Sequence, residues 1–216
     1  MKDVYIFDLD GTLIDSLDAW KDIGNRYLKS IGVQGRETLD QEMEHMAIEE
    51  ACVYIKKEFH LSQSINEILS DVKEMIYDSY AHDMRLKEGV YDFLKQSYKQ
   101  GKRMCVLTAN DQSLAKVVLK HCQVLSYFEC IESCGSIGYS KTNPQCYLEM
   151  AKRMNVSKEE CVVFEDAYHA LLSANHAGFY SVAVINNENQ KDRDNIKNIA
   201  NQTIESFLDI KNISLK

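Results

Sequence analysis

Short buried-strand patterns alternate with amphipathic helices along most of this chain, and that alternation limits its fold more than any other feature. Five apolar, β-branched runs read as strands: Val4 to Phe7, Arg103 to Leu107, Phe128 to Glu132, Cys161 to Phe164 and Ser181 to Ile185. Helical patterns separate the later ones. Gly89 to Gln100 stops at Gly101, and Ser113 to Cys122 follows. Pro144 to Met154 starts at the chain's only proline, and His169 to Ala177 ends at Gly178. Glycine suits a helix end because it tolerates the left-handed conformation there. Proline suits a helix start because the N–H it lacks has no helical partner to lose. Repeats of strand, helix and strand give a parallel sheet with helices on both faces. The expected fold is α/β, a doubly wound, Rossmann-like parallel sheet.

The stretch from Asp15 to about Arg85 breaks this rhythm and is helical throughout. Leu17 to Ile31 sets Trp20, Ile23, Tyr27, Leu28 and Ile31 on one face. Leu39 to Phe59 holds one or two helices, and Ser64 to Tyr80 repeats apolar residues at helical spacing. A loop of about 70 residues does not sit inside a compact domain. The sequence therefore predicts an inserted α-helical cap over residues 15–85, with 1–14 and 86–216 forming the α/β core. From Asn186 onward the tail is polar and reads as irregular, apart from a short helix over Ile204 to Ile210.

The chain carries a net charge of −8 over 216 residues, which argues against a nucleic-acid surface. No run approaches the ~18 apolar residues of a membrane span. Met1-Lys2-Asp3 leads straight into the first strand with no apolar leader. Seven cysteines occur without a Cys-x-x-Cys pair, which reads as reduced thiols in a cytoplasmic protein. Trp20 and the apolar faces of the insert fit an internal core or a dimer contact, so monomer and homodimer both stay open.

The chemically suggestive residues follow strands. Asp8 and Asp10 come after the first, Thr108-Ala109-Asn110 after the second, and Glu165-Asp166 after the fourth. In doubly wound sheets ligands bind outside the carboxyl ends of strands, where the strand order switches. Two carboxylates followed at once by Gly11 and Thr12 can hold a cation there and meet a phosphate.

Four stretches, in this order, resemble the motifs of the haloacid dehalogenase superfamily. They are Asp8-Leu9-Asp10-Gly11-Thr12, Leu107-Thr108-Ala109-Asn110, Ser140-Lys141-Thr142-Asn143-Pro144 and Phe164-Glu165-Asp166-Ala167. The likeness is nearest to the subgroup with a helical cap after the first motif, which holds the phosphoglycolate phosphatases and β-phosphoglucomutase. It implies a Mg²⁺-dependent phosphatase that acts on a small phosphorylated metabolite through an aspartyl-phosphate, under a cap that closes over the site. It implies Asp8 as nucleophile and Asp10 as the acid and base. Thr108, Ala109, Asn110 and Lys141 would bind the substrate phosphate. Asp8, Asp166 and the backbone carbonyl of Asp10 would hold the metal, with Glu165 contributing directly or through water.

The chemistry is coherent. A carboxylate nucleophile splits a very slow hydrolysis into two steps. Two anions repel, and Mg²⁺ accepts oxygen ligands beside a substrate phosphate. The Lys141 charge and the Thr108 hydroxyl favour a charge-rich, in-line transition state. Each residue also has a plainer reading. Thr108 and Asn110 suit helix caps, Lys141 a solvated loop lysine, and Glu165 a hydrogen-bond partner of the ligands.

Two other functions compete. A β-phosphoglucomutase-like sugar phosphomutase uses the same motifs, but Thr12 stands where the mutase carries Val. A non-catalytic phosphometabolite-binding module would be expected to lose Asp8 or Asp10. Two features depart from the family pattern, Tyr168 and a cap that lacks a clear Gly- or Arg-containing specificity loop. Tyr168 is bulky where a small residue is usual, and is expected to alter access. The acidic stretch from Asp40 to Glu50 reads as a solvated helix face.

Overall fold

The computed structural model describes residues 2–43, 46, 48–186 and 190–212. The chain divides into two compact units, Met1–Asp15 with Met84–Lys216, and Ser16–Asp83.

The first unit holds the strands β1 (Val4–Phe7), β2 (Ile14–Asp15), β3 (Arg85–Leu86), β4 (Arg103–Thr108), β5 (Cys130–Ser133), β6 (Cys161–Glu165), β7 (Tyr180–Val184) and β8 (Gln202–Ile204). Strands β2 and β3 pair as a short antiparallel ribbon. The other six form one sheet in the order β5-β4-β1-β6-β7-β8, with every neighbouring pair parallel. Strand β1 lies between β4 and β6, so the order switches at its carboxyl end.

Alternate side chains of β1 supply both faces of the core. Val4 and Ile6 pack with Cys105, Leu107, Met150 and Val163 on one side. Tyr5 and Phe7 point to the other, where Phe7 stacks on Phe164 with ring centroids 4.7 Å apart. Phe93 and Phe207 close this aromatic group. Helices cover both faces, so β1 reads as an unbroken apolar run rather than as alternation.

The second unit is helical: α1 (Leu17–Trp20), α2 (Ile23–Ser30), α3 (Leu39–Met43), α4 (Ile48–Glu58) and α5 (Ile65–His82). The helix expected over Leu17 to Ile31 is broken. Asp22 adopts a left-handed conformation, φ 58°, which an α-helix cannot accommodate and Asp tolerates better than most residues. The stretch Leu39 to Phe59 resolves into α3 and α4, and residues 44, 45 and 47 between them lie outside the described residues. Ser64 caps α5. It accepts from the N–H of Glu67 at 3.2 Å while Glu67 accepts from Ser64 N–H at 2.7 Å. Such a cap stabilises a helix by about 1 kcal/mol.

The core helices are α6 (Val90–Lys99), α7 (Gln112–His121), α8 (Cys134–Ile137), α9 (Gln145–Arg153), α10 (Tyr168–His176) and α11 (Arg193–Ile199). The tail differs from its reading as irregular. It forms α11 and β8, the sixth strand of the sheet. Ile204 belongs to that strand, so the helix expected over Ile204 to Ile210 appears instead as a 3-10 turn at Phe207–Asn212. The sequence signal was weak because Ile196 is the buried residue of α11 and Ile204 that of β8. Gly89 lets this tail dock: its φ is +80°, and a Cβ there would lie 2.6 Å from the backbone N of Leu208.

Candidate active site

Every residue singled out above for chemistry belongs to the α/β unit, at the carboxyl ends of β1, β4 and β6 or on the loop between α8 and α9. The N–H of Asp8 donates to Phe164 O at 2.9 Å and extends the pairing of β1 with β6 by one residue. The chain then turns sharply. Leu13 and Ile14 N–H both donate to Leu9 O, and Gly11 N–H donates to Ile14 O. Gly11 has φ +80°, and a Cβ there would lie 2.3 Å from Asp166 Oδ2. Only glycine offers both that conformation and that close approach.

Lys141 crosses the site. Its Nζ donates to Asp8 Oδ1 and, at 2.7 Å, to Glu165 Oε2. The three side chains are 7%, 8% and 2% exposed for Lys141, Asp8 and Glu165. Glu165 Oε1 accepts the N–H groups of Asp166 and Ala167, each at 3.2 Å. Lys141 is thus no solvated loop lysine, and Glu165 anchors the turn that carries Asp166.

Asp10 lies beside this group. Asn110 Nδ2 donates to Asp10 Oδ2 at 2.7 Å. The Thr108 hydroxyl oxygen accepts the Asn110 N–H at 3.0 Å, which fixes the turn after β4 and leaves its proton to be donated. Ala109 is exposed in the same turn. Asp111, rather than Thr108 or Asn110, is the cap of α7.

One carboxylate oxygen from each of Asp8, Glu165 and Asp166 lies within 4.8 Å of the others. Among the described residues, Lys141 is the cation paired with this group of three carboxylates, through Asp8 and Glu165. Burial, then Glu165, pushes the Asp8 carboxyl well above its ordinary range. The same causes push Asp166 up to about 7. Burial opposes the charge on Lys141, but Asp8 and Glu165 outweigh it and hold the ammonium protonated above the ordinary lysine range. A donor set made of carboxylate oxygens with unbalanced charge fits a hard divalent cation. The Asp10 side chain is not part of that three-carboxylate group.

A family model described as haloacid dehalogenase-like hydrolase matches residues 5–184. The chain belongs to that family. Fructose-1-phosphate phosphatase YqaB of Escherichia coli (strain K12) is 26% identical over 183 residues, covering 83% of this chain and 94% of the relative. Phosphoglycolate phosphatase of Colwellia psychrerythraea is 25% identical over 193 residues, covering 85% and 84%. Among solved structures, a Thermotoga maritima chain provisionally called a β-phosphoglucomutase superposes with TM-score 0.86 at 22% identity, covering 97% of both chains. CbbY of Rhodobacter sphaeroides in complex with phosphate gives TM-score 0.77 at 18% identity, covering 97% and 96%. These two bear on the fold, the six-stranded parallel sheet of the haloacid dehalogenase-like hydrolases.

Two residues near the carboxylates escape a sequence reading. Asn186 Nδ2 donates to Asp166 Oδ2 at 2.9 Å and to Gly11 O at 3.3 Å. Its signal was its place just past the last strand-like run, at the same end of the sheet. The Tyr147 hydroxyl lies 3.3 Å from Glu165 Oε2, and nothing in the helix pattern of α9 marks it. Tyr168 packs against the cluster of Leu171, Ala183, Ile185 and Ile196. That packing gives its bulk a structural use.

Proposed function

We propose that this chain hydrolyses the phosphate ester of a small metabolite through an aspartyl-phosphate formed on Asp8. That it is a phosphoric monoester hydrolase follows from its family and its phosphatase relatives. The observation that carries the residue assignment is the Lys141 ammonium set between Asp8 and Glu165, next to Asp166. A carboxylate that attacks an anionic phosphate needs fixed positive charge at that place.

Mg²⁺ suits these donors. Asp8, Asp166 and the Asp10 carbonyl would hold it, with Glu165 directly or through water. When bound, it supplies the charge that lets one anion meet another. The Asp8 carboxylate attacks phosphorus in line, and the bond from phosphorus to the ester oxygen breaks. Asp10 gives its proton to that oxygen. It then takes a proton from the water that attacks the phospho-aspartate, which frees phosphate and restores Asp8. Asn110 fixes the orientation from which Asp10 does both. Thr108, Ala109 and Asn110 bind the phosphate from the end of β4, and Lys141 supplies a charge that does not leave with product.

The names of the relatives support a substrate the size of a sugar phosphate or phosphoglycolate. We assign selection of the leaving group to the helical unit Ser16–Asp83, as a cap. All seven cysteines are free thiols, which supports a cytoplasmic setting. Among the described residues no helix is long and apolar enough to cross a membrane.

The test is phosphate release from a panel of small phosphate monoesters, with Mg²⁺ and with EDTA. Release that requires Mg²⁺ supports the proposal. No release from any ester by folded, Mg²⁺-loaded protein contradicts it.

A further inference from the structure

Four donors converge on the Glu165 carboxylate. Its Oε1 accepts the N–H groups of Asp166 and Ala167, each at 3.2 Å. Its Oε2 accepts the Lys141 ammonium at 2.7 Å and the Tyr147 hydroxyl at 3.3 Å. An ionised carboxylate offers about four lone-pair positions, so these donors fill it. The two on Oε1 are backbone groups of the turn after β6. On Oε2, Lys141 is itself the group that has to be aimed. Among the described residues Tyr147 is therefore the one fixed donor on that oxygen.

We propose that Tyr147 is a positioning residue for the hydrolysis. Its hydroxyl holds Glu165 Oε2 still, and Glu165 in turn keeps the Lys141 ammonium aimed while Asp8 carries the phosphoryl group. The inference rests on the phosphatase reading above.

Tyr147 is placed to stay where it is. It lies in the first turn of α9 and is 1% exposed. Its ring packs in the cluster built on Val4 and Ile6, with the Phe179 ring 6.1 Å away between centroids. The phenol donates, because the carboxylate has no proton to give. Lys141 precedes α9 and Tyr147 lies within it, so one segment of chain supplies both donors to Oε2.

The need for a fixed Glu165 arises in the second half of the reaction. An ammonium carries three protons to donate. Among the described residues, Lys141 spends two of them on Asp8 and Glu165, which leaves the third for a phosphate oxygen. Once Asp8 is joined to phosphorus it is no longer a carboxylate anion, and its hold on Lys141 weakens. Glu165 is then the remaining anion to which Lys141 donates. An Oε2 free to turn would let the ammonium follow the phosphoryl group instead of orienting it. The Tyr147 bond opposes that turn. Charge fixed in advance favours a transition state because nothing has to reorganise when the reaction occurs.

The experiment compares the native chain, Tyr147→Phe and Phe179→Leu, each with saturating Mg²⁺ and the best ester. Tyr147→Phe removes the hydroxyl and keeps the ring. Phe179→Leu disturbs the packing of that ring and keeps the hydroxyl. Urea unfolding reads stability and steady-state turnover reads kcat. Quenched flow with mass spectrometry reads the rates at which phosphorylated Asp8 forms and decays. The proposal expects Tyr147→Phe to slow the decay, and kcat with it, by about tenfold, and to slow formation less. It expects Phe179→Leu to unfold at lower urea with native decay and native kcat. Decay at the native rate in Tyr147→Phe overturns the proposal. An equal slowing in Phe179→Leu assigns the effect to packing and also overturns it. A native chain that releases no phosphate contradicts the phosphatase reading and takes the positioning role with it. An active native chain beside an equally active Tyr147→Phe contradicts the positioning role alone.

Discussion

The Lys141 ammonium donates to Glu165 Oε2 at 2.7 Å, with both side chains almost wholly withdrawn from solvent. The same ammonium holds Asp8. This one cation reconciles two buried carboxylates that would otherwise repel each other at the end of the central strand.

Lys141→Ala should therefore damage both stability and turnover. Removing one partner of a buried ion pair typically costs about 3–5 kcal/mol, and losing a charge aimed at the transition state costs on the order of 10²–10³ in rate. Lys141→Arg should not restore activity, because a planar fork does not replace a compact ammonium. Urea unfolding and steady-state turnover read the two effects. A variant as stable and active as the native chain contradicts this role.

Acidity should act in an unusual direction in the Mg²⁺-free protein. Burial, then Glu165, moves Asp166 from 3.8 up to about 7, and Asp8 moves the same way. Between those values the folded chain keeps a proton that the unfolded chain has released. The associated stability is complete below the unfolded value and is lost as pH rises through the folded one. Calorimetry in EDTA should show the unfolding temperature of native protein falling between about pH 4 and about pH 7 relative to Asp166→Asn. Parallel curves for the two proteins would contradict the shift.

Asn186→Ala should weaken Mg²⁺ binding. Asn186 ties Asp166 Oδ2 to the Gly11 carbonyl, and loss of an outer partner of a ligand typically costs about 10–100-fold in metal affinity. Titration calorimetry with Mg²⁺ measures it directly. An affinity within about twofold of native would remove Asn186 from the site.

Gly11→Ala should be more harmful than its size suggests. The new methyl meets Asp166 Oδ2 at 2.3 Å in a backbone of φ +80°. The backbone alone costs about 1–3 kcal/mol, and Asp166 must move. Urea unfolding should show the loss, together with weaker Mg²⁺ binding. Native values for both would mean that the turn relaxes freely.

The strands were legible because burial on both faces wrote them as continuous apolar runs, Val4–Phe7 and Cys161–Glu165 above all. Strand β8 was not, because a three-residue edge strand with one buried side chain carries no period. The break at Asp22 was hidden by apolar residues that keep helical spacing on both sides of it. At the site, the acidic pairs after β1 and β6 announced themselves as carboxylates beside a sheet switch. Asn186 and Tyr147 did not, because each acts through one hydrogen bond that only the folded chain brings about.

The most direct test of the account is to catch the phosphoryl group on Asp8. Native protein is mixed with Mg²⁺ and its best ester, quenched in acid during turnover, reduced with borohydride and sequenced by mass spectrometry. An aspartyl-phosphate is reduced to homoserine, so the account predicts homoserine at position 8. Unmodified Asp8 during active turnover, or homoserine at another aspartate, would contradict it.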